Sequence, residues 1–165
     1  MNNDIATAMA NLSTGIYVLT VNDGTHRHGM SSSWVVQVSG EPPRFMAAVD
    51  NNHFSRAMVA NVGAFGFNIV GRRGKELEDY FYSARSRKPD NLEGLAYELS
   101  PQLKMPWLNL AMISIEARVV DSHVAGDHTL FIAEMVGVRI GEKDQPLTSL
   151  DLEYVYVGGK GVMKR

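Results

Sequence analysis

Hydrophobic and polar positions alternate along most of this chain, and the period is that of strands rather than helices. Residues 15–21 are rich in β-forming side chains and run into Asn22-Asp23-Gly24-Thr25, a strong hairpin turn. Residues 29–38 resume as strand until Pro42-Pro43 stops them. Residues 45–49 begin another strand, and 65–70 form a compact one bounded by glycines. Over 111–120, Ile113, Ile115, Ala117 and Val119 alternate with Ser114, Glu116 and Arg118. Residues 130–140 give a further long strand, reached through a hairpin connection over 123–128 that contains Gly126-Asp127, and 152–157 give the last. Helical spacing is confined to short stretches: 4–10 with Asp4 near its cap, 54–61, and 74–81 with Leu77, Tyr80 and Phe81 inward. Residues 83–95 are polar, basic and broken by Pro89 and Gly94, which suggests a functional loop.

Six or more strands, short helices and no regular βαβ alternation predict a mainly β antiparallel barrel rather than a doubly wound sheet. No repeat, low-complexity tract or linker divides the chain, so 1–165 is expected to be a single domain. The strand at 130–140 is apolar on both faces, with Leu130, Ile132, Val136 and Val138 on one and Phe131, Ala133 and Met135 on the other. Such a strand needs a second protein layer, and in a chain with few helices a partner subunit is a candidate for it.

Composition narrows the function. Hydrophobic residues make up 45% and charged residues 21%, ordinary for a globular protein that buries its core without staples. Sixteen basic and eighteen acidic side chains give a net charge of −2 with no like-charge run, which argues against nucleic-acid binding. Cysteine is absent, so disulfides and thiolate chemistry are excluded. No signal-peptide pattern and no membrane-length apolar run occur, so a cytoplasmic location is expected. The chain has no G-x-G-x-x-G after a strand, no P-loop, no H-E-x-x-H and no G-x-S-x-G. His26-Arg27-His28 reads as a solvated hairpin rather than a metal site, and no metal is expected.

Several short segments, taken in order, resemble the flavin reductase-like, FMN-binding split-barrel family. Gly29-Met30-Ser31-Ser32-Ser33-Trp34 resembles its Gly-Met-Thr-Ala-Ser-Ser-aromatic strand. Asp50-Asn51-Asn52-His53-Phe54-Ser55 resembles its phosphate turn, and Phe65-Gly66-Phe67-Asn68 its Phe-x-Val-Asn strand. Gly126-Asp127-His128-Thr129-Leu130-Phe131-Ile132-Ala133-Glu134 is similar to its Gly-Asp-His-x-Leu-Phe-x-Gly-Glu segment, and 154–160 to its closing strand. The resemblance implies a six-stranded Greek-key split barrel, homodimeric, with FMN at the subunit interface.

It also implies roles. Met30, Ser31, Ser32, Ser33 and Trp34 would contact the flavin, the serines offering hydroxyls and bare amides to the ring edge. Alternatively they form a serine-rich edge strand, with Trp34 a core aromatic. Asn51, His53 and Ser55 precede a helix whose free N–H groups suit a phosphate, and the same residues satisfy an ordinary capping turn. Among the loop's Arg85, Arg87 and Lys88, Lys88 best fits the family's basic residue near the phosphate; a solvated basic loop is the other possibility. Asn68 would lie near the ribityl chain or ring, or else satisfy backbone within the core. His128 would stand by the nicotinamide, orienting it or moderating charge on the reduced ring; the alternative is a structural His–Asp turn. Hydride passes directly from nicotinamide C4 to flavin N5, so no protein acid or base is obligatory.

The implied activity is an NAD(P)H:flavin oxidoreductase using NADH or NADPH with FMN, or FAD as substrate, and supplying reduced flavin to a partner monooxygenase. A flavoredoxin-like FMN electron carrier serving a protein partner, or an FMN-binding domain without turnover, are the alternatives. Three features depart from the family pattern: Ser31-Ser32 replace Thr-Ala, Ala133 replaces a glycine, and 85–91 lack the acidic-Lys-Phe run.

Overall fold

The structure, a computed structural model, describes residues 2–83, 88–158 and 161–164. Its elements are α1 (Asn3–Ala10), β1 (Tyr17–Asn22), β2 (Arg27–Ser32), β3 (Val35–Gly40), β4 (Pro43–Asp50), α2 (Phe54–Val62), β5 (Ala64–Ile69) and α3 (Lys75–Phe81). They continue with β6 (Tyr97–Leu99), β7 (Pro106–Leu108), β8 (Ile113–Ala125), β9 (His128–Ile140), β10 (Tyr154–Tyr156) and β11 (Val162–Lys164). The single strand expected over 29–38 is two strands, because the chain leaves the ladder at Ser33-Trp34. This raises the main sheet from the expected six strands to seven, in the order β2-β1-β5-β8-β9-β4-β3.

That order dictates a curled sheet. The two edge strands, β2 and β3, are consecutive in the chain and joined only through Ser33 and Trp34. A flat sheet would hold its edges roughly 29 Å apart, at ~4.8 Å per step. The link from Ser32 to Val35 spans at most ~11 Å. The sheet therefore bends back until its edges face one another across an unpaired seam.

Inside the curl, Leu19, Val21, Met30, Phe45, Val49, Phe65, Phe67 and Phe131 pack into one core, capped by Met58 and Val59 of α2. A second cluster lies outside β1, where Val18 meets Leu77 and Phe81 of α3 together with Leu92 and Leu108. β1 is thus buried on both faces. The turn Gly126-Asp127 has the left-handed first residue (φ +62°) of a tight two-residue hairpin, which only glycine adopts without strain.

The polar side of β8 is covered rather than open to water. Ser114 and Glu116 are not solvent-facing; they are fully buried beneath the ribbon β6–β7 and the turn before β7. Glu116 Oε2 accepts from the amides of Gln102 (3.1 Å) and Leu103 (2.7 Å), which offsets part of its burial, while Oε1 is buried without a partner. On β9, a bulge leaves Val136 unpaired between Met135 and Gly137, the partners of Ala117 and Glu116, and the simple two-face alternation ends there. Phe131 and Ala133 enter the core, whereas Met135, Val138 and Ile140 are exposed. On the outer surface, Val36 and Ile132 flank Met46 in register, and Val36 and Val38 are about half exposed. Among the described residues no helix is long and apolar enough to cross a membrane.

Candidate active site

A cavity of about 410 Å³ opens where the chain crosses the seam, a size suited to a small-molecule cofactor. Met30, Ser31, Ser32 and Ser33 form one wall and Trp34 begins the opposite one. Ala48 and Asp50 extend it from β4, His53 from the start of α2, and His128 from the start of β9. Curling the sheet is what assembles these residues, since Asp50 and His128 are cross-strand partners while Ser32 belongs to the far edge.

Seven of the residues singled out from sequence line this cavity: Met30, the three serines, Trp34, His53 and His128. The Trp34 ring lies 4.5 Å from His128 and 5.5 Å from Tyr156, an aromatic wall suited to a planar ligand. His128 is buried and its Nδ1 lies 2.7 Å from Asp127 Oδ1, a hydrogen bond that holds the Asp127 carboxyl below its usual range.

Asn51 stands behind the cavity as a brace. Its amide N–H donates to Asp127 O (2.9 Å), its Nδ2 to Gly126 O (3.3 Å), and its Oδ1 accepts from the Thr129 hydroxyl (2.7 Å). The turn before α2 and the hairpin bearing His128 are thereby locked together.

The start of α2 reaches the cavity through His53. His53 caps the helix, its Nδ1 accepting from Ser55 N (3.2 Å). The Ser55 hydroxyl is fully buried with no partner, as is Nε2 of His28, whose ring stands 5.6 Å from that of His53. The Ser55 hydroxyl, an unpartnered donor beside a helix N-terminus, fits the phosphate end of a nucleotide-like ligand, whereas Nε2 of neutral His28, whose Nδ1 donates to Lys88 O, offers only a lone pair. Burial, then the neighbouring His53, pushes His28 down to about 4; burial likewise lowers His53.

The remaining candidates fall elsewhere. Asn68 does not line the cavity. It is fully buried on β5, where its Oδ1 accepts from Leu108 N (2.9 Å) and Ser114 Oγ (2.8 Å) while its Nδ2 donates to Val18 O and Thr20 Oγ1 (both 3.2 Å). Its amide pins β7 onto the sheet, the core role weighed against ligand contact. Lys88 is exposed and does not line the cavity; its carbonyl accepts from His28 Nδ1 (2.8 Å). Arg85 and Arg87 lie outside the described residues.

Sequence reasoning missed Glu78, Tyr82, Tyr154 and Tyr156, all of which line the cavity. Glu78 is almost completely buried, and desolvation raises its carboxyl above the usual range despite hydrogen bonds from Ser31 and Tyr154. Tyr82 stacks on Tyr154 with centroids 4.5 Å apart. The signal for Tyr154 and Tyr156 was present in the apolar spacing of the last strand; for Glu78 it was not, because Lys75 and Asp79 surround it with an ordinary solvated pattern.

The chain is 27% identical over 140 residues to the NADH:riboflavin 5'-phosphate oxidoreductase of Streptomyces pristinaespiralis, covering 84% of this chain and 78% of that one. It is 24% identical over 147 residues to the 4-hydroxyphenylacetate 3-monooxygenase reductase component of Pseudomonas aeruginosa, covering 85% and 82%. Among solved structures, the styrene monooxygenase flavin reductase of Pseudomonas putida S12 superposes with a TM-score of 0.74 at 27% identity, covering 89% and 91%. Residues 9–158 match the flavin reductase like domain, and the chain belongs to that family.

Proposed function

We propose that this chain is an NAD(P)H:flavin oxidoreductase that works as one split-barrel domain over residues 1–165, paired as a homodimer. The observation that carries this is the convergence of Met30–Trp34, His53 and His128 on one 410 Å³ cavity in a member of the flavin reductase family. FMN, or FAD as substrate, supplies the hydride acceptor when bound, with NADH or NADPH as donor. The chain's own residues bind and orient. The serines of β2 offer hydroxyls to the ring edge, and the Trp34–His128 pair gives the ring plane a flat neighbour. The start of α2, with Ser55, takes the phosphate. His128, fixed through Asp127, positions the nicotinamide.

The exposed Val36 and Val38, beside half-buried Met46 and Ile132 on the outer face, support a homodimer with the flavin site at its boundary. Relatives named as monooxygenase reductase components support delivery of reduced flavin to a separate monooxygenase. Anaerobic stopped-flow mixing of FMN-loaded protein with NADH or NADPH tests the activity, with bleaching of flavin absorbance expected. Persistent yellow colour would overturn the assignment. Light scattering tests the dimer, and a particle of 18.2 kDa would overturn that part.

A further inference from the structure

Glu78 is a chemical oddity in this cavity. A carboxyl almost wholly withdrawn from water faces a site assigned to a flavin ring, and among the described residues its hydrogen-bond partners are two hydroxyls. Ser31 Oγ donates to Glu78 Oε2, and Tyr154 OH donates to Glu78 Oε1 at 3.4 Å. A serine hydroxyl has one proton to give. While that proton points at an ionised Glu78, Ser31 shows the cavity lone pairs only. When Glu78 takes up a proton it donates to Ser31 Oγ instead, and the Ser31 proton is free to point into the cavity.

Building on the flavin assignment above, we propose that Glu78 is a positioning residue that sets the hydrogen-bond polarity of Ser31 toward the flavin ring, acceptor when Glu78 is ionised and donor when it is protonated. Oxidised flavin offers mainly acceptors along its polar edge, so it binds more tightly to the protonated arrangement, and binding draws a proton onto Glu78. Burial favours this by holding the carboxyl above its usual range, which brings its titration toward neutral pH. The charged and titratable groups around Glu78 are Lys75 and Asp79 on its own helix, Tyr82 just beyond, and Tyr154 from β10. Asp50, His53 and His128 face the same cavity from its other walls.

The test is titration of the purified protein with oxidised FMN, followed by fluorescence quenching from about pH 4 to about pH 9, a range that starts at the ordinary carboxyl value and extends well above it. Wild type should bind on the order of five-fold more weakly at the alkaline end, the worth of one neutral hydrogen bond. Glu78→Gln, which mimics the protonated group, should bind with the acid-side affinity at every pH. Ser31→Ala should also lose the dependence while keeping Glu78. Calorimetry in buffers of differing ionisation heat should show proton uptake on FMN binding in wild type and none in Glu78→Gln. FMN bound with a flat wild-type profile, or a dependence that survives in Glu78→Gln, would overturn the role of Glu78 alone. No FMN binding at any pH would overturn the flavin assignment and this inference with it.

Discussion

Acidification should strip stability from this protein through one side chain, His28. It lies on β2, fully buried, with Nδ1 donating to Lys88 O at 2.8 Å and its ring packed 5.2 Å from Phe54 and 5.6 Å from His53. Nε2 has no partner, so a proton added there would be a buried charge without compensation. Desolvation and His53 together hold the group at about 4, against ~6.5 in an unfolded chain. Because the folded value is depressed, the native state binds fewer protons than the unfolded state through this window. The contribution is present in full above the unfolded value and is lost as pH falls from about 6.5 through about 4. A gap of roughly 2.5 pH units, at ~1.36 kcal/mol each, amounts to about 3 kcal/mol. The assay is urea denaturation of wild type and His28→Asn, whose amide can donate to Lys88 O but cannot titrate. The stability difference between them should change by about 3 kcal/mol in favour of the variant between about pH 7 and about pH 4. Parallel pH profiles would refute the reasoning.

Three further outcomes are expected. Asn68→Ala should cost about 3 kcal/mol or more in urea denaturation, since Leu108 N–H and Val18 O lose a buried partner, while FMN affinity of the folded protein is unchanged. Weakened FMN binding at intact stability would contradict this. In Gly29→Ala the new Cβ would stand 2.5 Å from Phe81 Cε1 and 3.1 Å from Leu92 Cδ2, so α3 must shift at a cost of ~1–3 kcal/mol. A wild-type melting temperature would show the contact to be softer than that. His128→Ala should lower kcat/KM for the nicotinamide by roughly ten- to a hundred-fold, the cost of a mispositioned reactant. Unchanged stopped-flow reduction would remove His128 from the mechanism.

Local chemistry was legible in the sequence wherever it is decided locally. Gly126-Asp127 announces its hairpin because a two-residue connection needs positive φ at its first position, and the elements flanking it follow from alternation. The break at Ser33-Trp34 was not legible, because it depends on β2 and β3 lying at opposite edges of a sheet whose order is set by distant pairings. Nor was the burial of Ser114 and Glu116. Period-two alternation marks a polar face but cannot say whether water or a ribbon of backbone donors covers it. Glu78 was hidden for a related reason. Beside the Lys75–Asp79 ion pair (2.9 Å) it reads as one more charge on an exposed helix, and only the approach of Ser31 and Tyr154 distinguishes it.

The placement of the cavity also follows from how the sheet's loose edge is managed. An edge strand leaves every second residue's amide and carbonyl turned away from its neighbour, a standing invitation to wrong pairing. On β2 the first outward positions are satisfied by Asn91, which acts as a stand-in strand. Its backbone N–H donates to Arg27 O (3.2 Å), its Oδ1 accepts from Gly29 N (2.7 Å), and its Nδ2 donates to Gly29 O (2.8 Å). Two residues on, the same parity turns the Ser31 main chain outward, where, among the described residues, nothing takes Asn91's place and the cavity begins. Extending Asn91's arrangement by one more residue pair would cover Ser31 and close the site. The stretch left bare is therefore the stretch a ligand's polar edge can use, and the side chain at that position is the one Glu78 controls.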